Sequence, residues 1–338
     1  MIRARTDLGL LWATCALLAA CGGGGTSDAP APAPAPTPAP APTAAQRIAA
    51  ATTTATSASN ACAPVAPFYW EIGDASGALG SGSVDAAGSA THYTATSVMP
   101  IASASKWVYG AYVAQKRAGV LNDSDIKFLN FQSGYTSFDT CGSTQTIDSC
   151  LATGTNGSYH SAMDGYFVYG GGHMQKHASL FGLGAMDNAA LAQEVQSQLG
   201  SDFAFIYTQP QPAGGVATSA AQYAVFLRKL LGGQLQMAAL LGAHPVCTNP
   251  ATCTQALASP ATGLSWHYSI GHWVEDDPAT GGDGAFSSAG SFGFYPWVDA
   301  TKRWYGVLAR TAAPGSGFDS ATCGALIRRA WVSGTPVT

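Results

Sequence analysis

The sequence predicts a three-layer α+β fold, in which an antiparallel sheet is flanked by helices and carries a mostly helical insertion. Strand patterns occur near both ends of the chain, at residues 68–84 and 268–311. Helical patterns fill most of the stretch between them, so the sheet must be assembled from distant segments. This separation of strands from helices favours an α+β architecture over a doubly wound parallel sheet, in which the two alternate along the chain.

The strands are predicted from short apolar runs that are bounded by turn residues. A hairpin is expected from the runs at 68–73 and 79–84, because the turn-forming residues DASG separate them at 74–77. Further strands are predicted at 268–274, 292–298 and 304–311. The first two strands and the last three would then supply most of the sheet.

Helices are predicted where apolar residues recur on one face. The segment at 105–117 has apolar residues at positions 107, 108, 111 and 112 and is followed by Gly119, a frequent C-terminal signal. A capping box of Ser219 and Gln222 opens another helix, which ends at Gly232. Other helices are expected at 44–56, 173–180, 188–199 and 320–332. Residues 122–165 lack strong periodicity, and a loop-like structure is predicted there.

The N-terminus is predicted to be an export and anchoring segment. Arg3 and Arg5 precede an apolar run at 8–20, which has the length of a signal peptide and is too short to span a bilayer comfortably. The run leads into LAAC at 18–21, the pattern of a bacterial lipobox, in which Cys21 would carry the lipid. The alternative is ordinary signal-peptide cleavage that leaves Cys21 without a role.

A low-complexity linker follows Cys21. Four glycines and then an alternating Pro-Ala run at 29–42 favour an extended, polyproline-like spacer. The predicted organisation is a signal peptide at 1–20, an anchored linker at 21–46 and a single domain at 47–338, with the helical insertion at about 120–210. The expected location is the bacterial envelope, in the periplasm or at the outer membrane, with the lipid as the contact to the membrane.

The composition argues against one class of partner. The 338 residues have a net charge of −4, and only 10% of them are charged. A nucleic-acid-binding protein would instead need a basic surface.

Six cysteines follow Cys21, and an even number in an exported chain favours disulfides. Zinc is the competing interpretation, but neither of the two closely spaced pairs has C-x-x-C spacing. Two pairs would each close a short loop, and the remaining two cysteines would join the ends of the domain. The predicted pairs are Cys141–Cys150, Cys247–Cys253 and Cys62–Cys323.

A candidate nucleophile precedes the helix predicted at 105–117. Ser103 and Lys106 are three residues apart, so on a helix they share one face and the amine can take the hydroxyl proton. A lysine in a dry cleft has a lowered pKa and can serve as a general base. The helix N-terminus also offers backbone N–H groups to a developing oxyanion. The alternative is a helix cap and a surface lysine with the same spacing.

A second pair, Ser124 and Lys127, has the same spacing in this chain. Asp125 and the polar surroundings favour a solvated turn there, and no amphipathic helix is expected to follow. The surroundings of Ser103 therefore decide between the two pairs.

Those surroundings resemble a known family. The segment PIASASK at 100–106 is similar to the nucleophile region of class C β-lactamases, family VIII esterases and related DD-peptidases. These proteins carry a Tyr-x-Asn motif in their helical region. The segment FVYGGGHM at 167–174 matches this motif with Tyr169, whereas Gly171 replaces the asparagine.

Later segments match the same family in the same order. Residues 213–226 resemble its glycine-rich turn and helix, and residues 268–274 resemble the strand that comes next. The third motif, Lys-Thr-Gly or His-x-Gly in relatives, is matched by Ser288, Ala289 and Gly290.

The resemblance implies a penicillin-recognising serine hydrolase with a β-lactamase/DD-peptidase-like fold. Ser103 would be the acylated nucleophile, Lys106 the general base and Tyr169 a general acid or base, while the backbone N–H groups of Ser103 and Ser291 would form the oxyanion hole. Tyr169 has the alternative role of a buried core tyrosine. The substrate-binding positions implied by the motifs are Gly171, Ser288, Ala289 and Gly290.

Departures from the family motifs bear on the substrate. In relatives, an asparagine at the position of Gly171 and a cation at the position of Ser288 would hold the amide and the carboxylate of a β-lactam. Their loss favours an ester or a small amide or peptide, as in family VIII esterases and aminohexanoate-oligomer hydrolases. The alternatives are β-lactamase or DD-peptidase activity, or a catalytically silent module that binds cell-wall peptide.

No cofactor and no metal are predicted. His173 and His177 have the i, i+4 spacing of a zinc site, but the glutamate of an H-E-x-x-H motif is absent.

Overall fold

The computed structural model describes residues 40–338. The predicted signal peptide, Cys21 and most of the linker lie outside these residues. The first helix begins at Ala44, three residues before the predicted domain boundary at 47, because Thr43 and Gln46 form a capping box there. In the described part of the chain, no helix combines the length and apolar character needed to cross a membrane.

The secondary structure is numbered in chain order. The α-helices are α1 (Ala44–Ala55), α2 (Ser105–Lys116), α3 (Asp123–Leu129), α4 (Ile147–Leu151), α5 (Gly172–Ala178), α6 (Asn188–Leu199), α7 (Ala220–Leu231), α8 (Met237–Leu240) and α9 (Gly317–Ser333). The strands are β1 (Phe68–Asp74), β2 (Gly77–Val84), β3 (Met99–Pro100), β4 (Phe167–Val168), β5 (Ile206–Tyr207), β6 (Val216–Thr218), β7 (Val246–Cys247), β8 (Ala256–Ala258), β9 (His267–Ser269), β10 (His272–Glu275), β11 (Ala285–Ser287), β12 (Tyr295–Val298) and β13 (Tyr305–Ala309).

An eight-stranded antiparallel sheet forms the middle layer. Its strand order is β2-β1-β13-β12-β11-β10-β9-β7. The N-terminal hairpin therefore pairs with the last strand of the chain, with Tyr69 opposite Ala309 and Gly73 opposite Tyr305. This pairing confirms the predicted α+β class and the assembly of the sheet from both ends of the sequence.

Helices cover both faces of the sheet. On β1, Glu71 accepts a hydrogen bond from Tyr305, whose hydroxyl in turn accepts one from Arg228 of α7. Successive side chains of a strand alternate between faces. Accordingly, Trp70 lies on the opposite face, where it and Ile327 of α9 line the same small cavity. Since α1 packs on α9, the layers are α1 with α9, the sheet, and α7 with the remaining helices.

The segment at 268–274 is a hairpin, so the prediction of one continuous strand was wrong. Strands β9 and β10 are joined by Ile270 and Gly271, whose φ angles of +41° and +84° suit a type I′ turn. The turn lies against α2, where a side chain on Gly110 would collide with the Ile270 carbonyl oxygen. The apolar pattern is the same for one strand or two, and the contact with α2 decides between them.

Two other predictions are corrected in detail. The strand predicted at 292–298 begins only at Tyr295, and β11 has no counterpart in the sequence prediction. In the region predicted to be loop-like, α3 and α4 each begin with a capping box, formed by Asn122 with Asp125 and by Thr146 with Ser149. These helices contain 7 and 5 residues, which is too short to show a helical period.

The six cysteines of the described chain form the three predicted pairs. The pair Cys62–Cys323 spans 261 positions and joins the segment before β1 to α9. The pairs Cys141–Cys150 and Cys247–Cys253 close short loops. In the entropic account, a cross-link stabilises the folded state because it restricts the unfolded chain. This stabilisation grows with the length of the closed loop and reaches about 4 to 5 kcal/mol for very long loops. Cys62–Cys323 should therefore stabilise the domain most.

Candidate active site

Ser103 lies in a tight turn between β3 and α2. The chain leaves β3 through Ile101, whose N–H donates to the Val216 carbonyl at 2.9 Å. A 3₁₀ turn, Ala102–Ala104, then leads into α2. Ala102 has a φ of +44°, a region that residues with a side chain rarely adopt. Backbone strain of this kind clusters at functional sites, where the surrounding structure holds it in place.

Two side chains from other elements hold this turn. The Ser288 hydroxyl donates to the carbonyl oxygen of Ser103 at 3.0 Å. The Tyr223 hydroxyl donates to the carbonyl oxygen of Ala104 at 2.9 Å. The backbone around Ser103 is therefore fixed by α7 and by the segment that follows β11.

The Lys106 amine lies beside the Ser103 hydroxyl. Its Nζ is 2.9 Å from Ser103 Oγ and donates a hydrogen bond to the Ala213 carbonyl at 2.8 Å. The side chain is only 5% exposed, and burial lowers the pKa of Lys106 to about 7. A substantial fraction of the amine is thus uncharged at neutral pH. With one N–H engaged by Ala213, its lone pair can accept the Ser103 proton.

Turnover that depends on Lys106 is expected to rise as the pH increases through about 7 and to level off above it. The amine accepts a proton only when it is uncharged, and the uncharged fraction grows as the pH passes its pKa. The measurement is kcat/KM for an ester between about pH 5 and pH 9, with the rate of Ser103→Ala subtracted. A rate that falls across this range would contradict the assignment of Lys106 as the base.

Tyr169 lies close to the Ser103 hydroxyl, directly after β4. Its N–H donates to the Ala258 carbonyl at 3.0 Å, which continues the pairing of β4 with β8. The ring stacks on Trp273 with centroids 5.4 Å apart, and Lys106 Nζ lies 5.0 Å from its centroid. Burial raises the pKa of the Tyr169 hydroxyl, and the neighbouring Ser103 hydroxyl offsets part of this rise. The phenol is therefore protonated at neutral pH and can donate a proton.

A cavity of about 300 Å³ opens beside Ser103. It is lined by Ser103, Tyr169, Pro260, Ala289, Ser291, Gly315, Gly317 and Phe318. The N–H groups of Ser103 and Ser291 donate no hydrogen bond to any protein group within residues 40–338. Within the described residues neither N–H group is therefore occupied by a protein acceptor, a condition that an oxyanion hole requires.

Solved structures with low sequence identity share this architecture. The hydrolase EstCE1, described as having promiscuous acyltransferase activity, has a TM-score of 0.57 at 12% identity, over 86% of this chain and 98% of its own. FmtA from Staphylococcus aureus has a TM-score of 0.54 at 12% identity, over 81% of this chain and 86% of its own. A penicillin-binding protein from Bacillus halodurans has a TM-score of 0.50 at 12% identity, over 77% of this chain and 95% of its own.

The chain has the β-lactamase/penicillin-binding-protein fold. No protein-family model and no curated protein sequence matches it. The likeness to solved structures therefore establishes the fold, as the resemblance of the motifs implied.

In this β-lactamase-like fold, only one of the four predicted substrate-binding residues lines the cavity. That residue is Ala289. Ser288 is directed to the Ser103 carbonyl, and a side chain on Gly290 would collide with the carbonyl oxygen of Ile101. Gly171 packs on Phe138, whose ring lies only 2.9 Å from the point that a Cβ on residue 171 would occupy. The Phe138 ring thus fills the space that an asparagine side chain at position 171 would need.

Several cavity residues of this β-lactamase-like domain have no counterpart in the sequence prediction. Phe318 packs edge-on against Trp273 with centroids 5.9 Å apart. Gly317 lies against Gly290, because a Cβ there would be 2.6 Å from the Gly290 carbonyl oxygen. The glycine-rich run PGSG at 314–317 is a signal for such a close approach. Pro260 carries no comparable signal.

The two histidines with metal-like spacing are engaged by protein groups. His173 Nδ1 is 2.7 Å from the Ser133 hydroxyl, and burial lowers the pKa of His173 to about 4. His177 lies 2.8 Å from the Tyr109 hydroxyl and 3.1 Å from Asp125. Across the part of the chain that the structure describes, no group of three or more metal-ligating side chains comes together.

Proposed function

We propose that this protein is a serine hydrolase that acts through an acyl-enzyme on Ser103, with an ester or a small amide or peptide as substrate. The observation that carries the proposal is the 2.9 Å contact between the buried Lys106 amine and the Ser103 hydroxyl. A base in contact with a hydroxyl at the edge of a cavity is the arrangement that nucleophilic catalysis requires. The β-lactamase-like fold supports the proposal.

The surroundings support different proposed roles for Lys106 and Tyr169. Burial lowers the pKa of Lys106 and raises that of Tyr169, so at neutral pH the first can accept a proton and the second can donate one. In the acylation step, Lys106 takes the Ser103 proton as Oγ attacks the carbonyl carbon. The carbonyl oxygen becomes negatively charged beside the N–H groups of Ser103 and Ser291.

The intermediate then collapses as Tyr169 donates its proton to the leaving alcohol or amine. The proton held by Lys106 restores the Tyr169 phenol, so the charges balance over the step. Water then attacks the acyl-Ser103 ester. Lys106 and Tyr169 take a proton from this water and deliver it to Ser103 Oγ as the bond between Oγ and the acyl carbon breaks. The products are the carboxylic acid and the free enzyme.

Covalent labelling tests the proposal directly. A fluorophosphonate probe is expected to label Ser103 in the wild-type domain and to leave Ser103→Ala unlabelled. A catalytically silent module that only binds cell-wall peptide would not label. Absence of labelling in folded wild-type protein would therefore favour that alternative.

Ester or simple amide turnover is expected to exceed β-lactam turnover by at least about tenfold in kcat/KM, a transition-state difference near 1.4 kcal/mol. The reason is that Ser288 supplies no cation for a β-lactam carboxylate, and Phe138 occupies the space of the missing asparagine side chain. Hydrolysis of p-nitrophenyl esters and nitrocefin by one enzyme preparation measures the ratio. Nitrocefin hydrolysis as fast as ester hydrolysis would favour β-lactamase activity instead.

We also propose that the domain is tethered to the bacterial envelope through lipid on Cys21. The LAAC pattern and the Pro-Ala linker support this, and three disulfides fit an oxidising compartment. Cys21→Ala is expected to move the protein from the detergent phase to the aqueous phase. Cys15→Ala, which alters a cysteine before the lipobox, is the matched control and should leave partitioning unchanged. Detergent partitioning that survives Cys21→Ala would contradict the proposal.

A further inference from the structure

We propose that the cavity beside Ser103 selects substrates whose acyl group is uncharged, apolar and compact, with an aromatic ring favoured. The inference rests on the proposed hydrolase function, and it adds the charge and the size of the group that is transferred to Ser103. Its basis is the set of residues that line the cavity and the packing behind them.

The charge of the lining disfavours an anionic acyl group. None of the eight lining residues carries a formal charge at neutral pH, since burial keeps the Tyr169 phenol protonated. Lys106 does not line the cavity, and its amine is engaged by the Ser103 hydroxyl and the Ala213 carbonyl. A carboxylate that enters the cavity would lose its hydration without gaining a partner of opposite charge.

Aromatic rings form a fixed part of the wall. Tyr169 and Phe318 both line the cavity, and both pack on Trp273, with centroids 5.4 and 5.9 Å away. Phe318 also contacts Trp266 at 5.9 Å. Trp273 and Trp266 are buried, so the two lining rings rest on a packed support. A preformed aromatic surface binds a flat apolar group without first having to be ordered.

The volume limits the size of the acyl group. At about 300 Å³ the cavity is at the small end of the range for ligand sites, which is roughly 300 to 1,000 Å³. At Gly317 an added Cβ would approach the Gly290 carbonyl oxygen at 2.6 Å, so the backbone of residue 290 packs closely against this part of the wall. A phenylacetyl group is of the size that fits.

The first experiment tests charge with two esters that share one leaving group. Wild-type enzyme is expected to hydrolyse p-nitrophenyl butyrate with a kcat/KM at least about tenfold above that for p-nitrophenyl hemisuccinate, after correction for their uncatalysed rates. Pro260 is exposed at the cavity and gives a matched pair of variants. Pro260→Lys should raise the hemisuccinate-to-butyrate ratio severalfold over Pro260→Gln. Equal hydrolysis of the two esters by wild type, or equal ratios in the two variants, would overturn the inference.

The second experiment tests the aromatic wall. Phe318→Ala is expected to lower kcat/KM for p-nitrophenyl phenylacetate about tenfold more than for p-nitrophenyl acetate. Phe318→Leu, which keeps apolar volume, should have a smaller effect in the same direction. Tyr159→Ala removes an exposed aromatic ring that does not line this cavity, and it should change neither ester. Equal losses on both esters in both Phe318 variants would contradict the inference.

A binding measurement separates this inference from the proposed function. Saturation-transfer NMR on Ser103→Ala, which requires no turnover, is expected to detect methyl phenylacetate and not phenylacetate. That result together with a wild-type enzyme that hydrolyses no ester, amide or peptide would refute the hydrolase proposal while supporting the selectivity of the cavity. Ser103-dependent turnover that prefers the anionic ester would do the reverse.

Discussion

Replacing Ser103 by alanine is expected to abolish ester turnover, with a loss on the order of 10⁵-fold, and to leave the melting temperature nearly unchanged. The variant loses the nucleophile, but it keeps the backbone bonds from Ser288 and Tyr223 that hold the turn. Lys106→Ala should cost nearly as much activity, because an alcohol is a poor nucleophile without a base. Initial rates on an ester and thermal unfolding of each variant provide the two measurements.

The controls come from the chain itself. Lys106→Met keeps the apolar stem and removes the buried amine, so the variant should be inactive. It should not be destabilised at neutral pH, because the lowered pKa of Lys106 means that the folded state disfavours the charged amine that the variant lacks. Lys127→Ala should be silent. Although Ser124 and Lys127 share the spacing, they lie on α3, where Lys127 pairs with Asp164 at 2.8 Å. Turnover by Ser103→Ala, or an inactive but folded Lys127→Ala, would show that Ser103 and Lys106 are not the catalytic pair.

Tyr169→Phe is expected to reduce turnover by on the order of 10² to 10⁴, the usual scale for a lost general acid or base. The ring should remain stacked on Trp273 and in contact with Phe131, so the fold should be preserved. If Tyr169 protonates the leaving group, the loss should be larger for an alkyl ester than for a p-nitrophenyl ester, whose alcohol leaves readily without a proton. The ratio of the two kcat/KM values measures this.

The neighbouring Tyr268 provides a matched control for Tyr169. The Tyr268 ring packs edge-on against both Tyr169 and Trp273, but its hydroxyl has no hydrogen-bond partner within the described residues. Tyr268→Phe should therefore change neither ester. An equal loss on both esters in Tyr169→Phe would indicate that the hydroxyl has a structural role and would contradict its assignment as the acid.

Features that depend on nearby residues could be predicted from the sequence. The pattern of Ser219 and Gln222 and the apolar face that follows predicted α7, which runs from Ala220 to Leu231. Ser219 caps this helix, whereas the Gln222 side chain accepts a hydrogen bond from the Ala204 N–H and does not complete the predicted capping box. The contact between Ser103 and Lys106 follows from a spacing of three residues at a helix start. The strand patterns at both ends of the chain likewise predicted most of the sheet, because each is a short apolar run bounded by turn residues.

Features that depend on distant residues were decided by the tertiary structure. Two strands and a turn form at 268–274 instead of one strand, because Gly110 of α2 has no side chain and leaves room for the turn. Phe138 fills the space beside Gly171, and Phe318 and Pro260 come from separate segments to line the cavity.

The sequence by itself therefore determined the fold class and the pairing of the cysteines, which are expressed in local patterns or in spacing. It also determined the candidate nucleophile with its base, through the resemblance of the segments around Ser103 to a known family. Only the tertiary structure decided the burial that separates the pKa values of Lys106 and Tyr169, and the uncharged, aromatic lining of the cavity. The physical reason is that burial and cavity shape arise when segments far apart in sequence pack together, and no local pattern records which segments will meet.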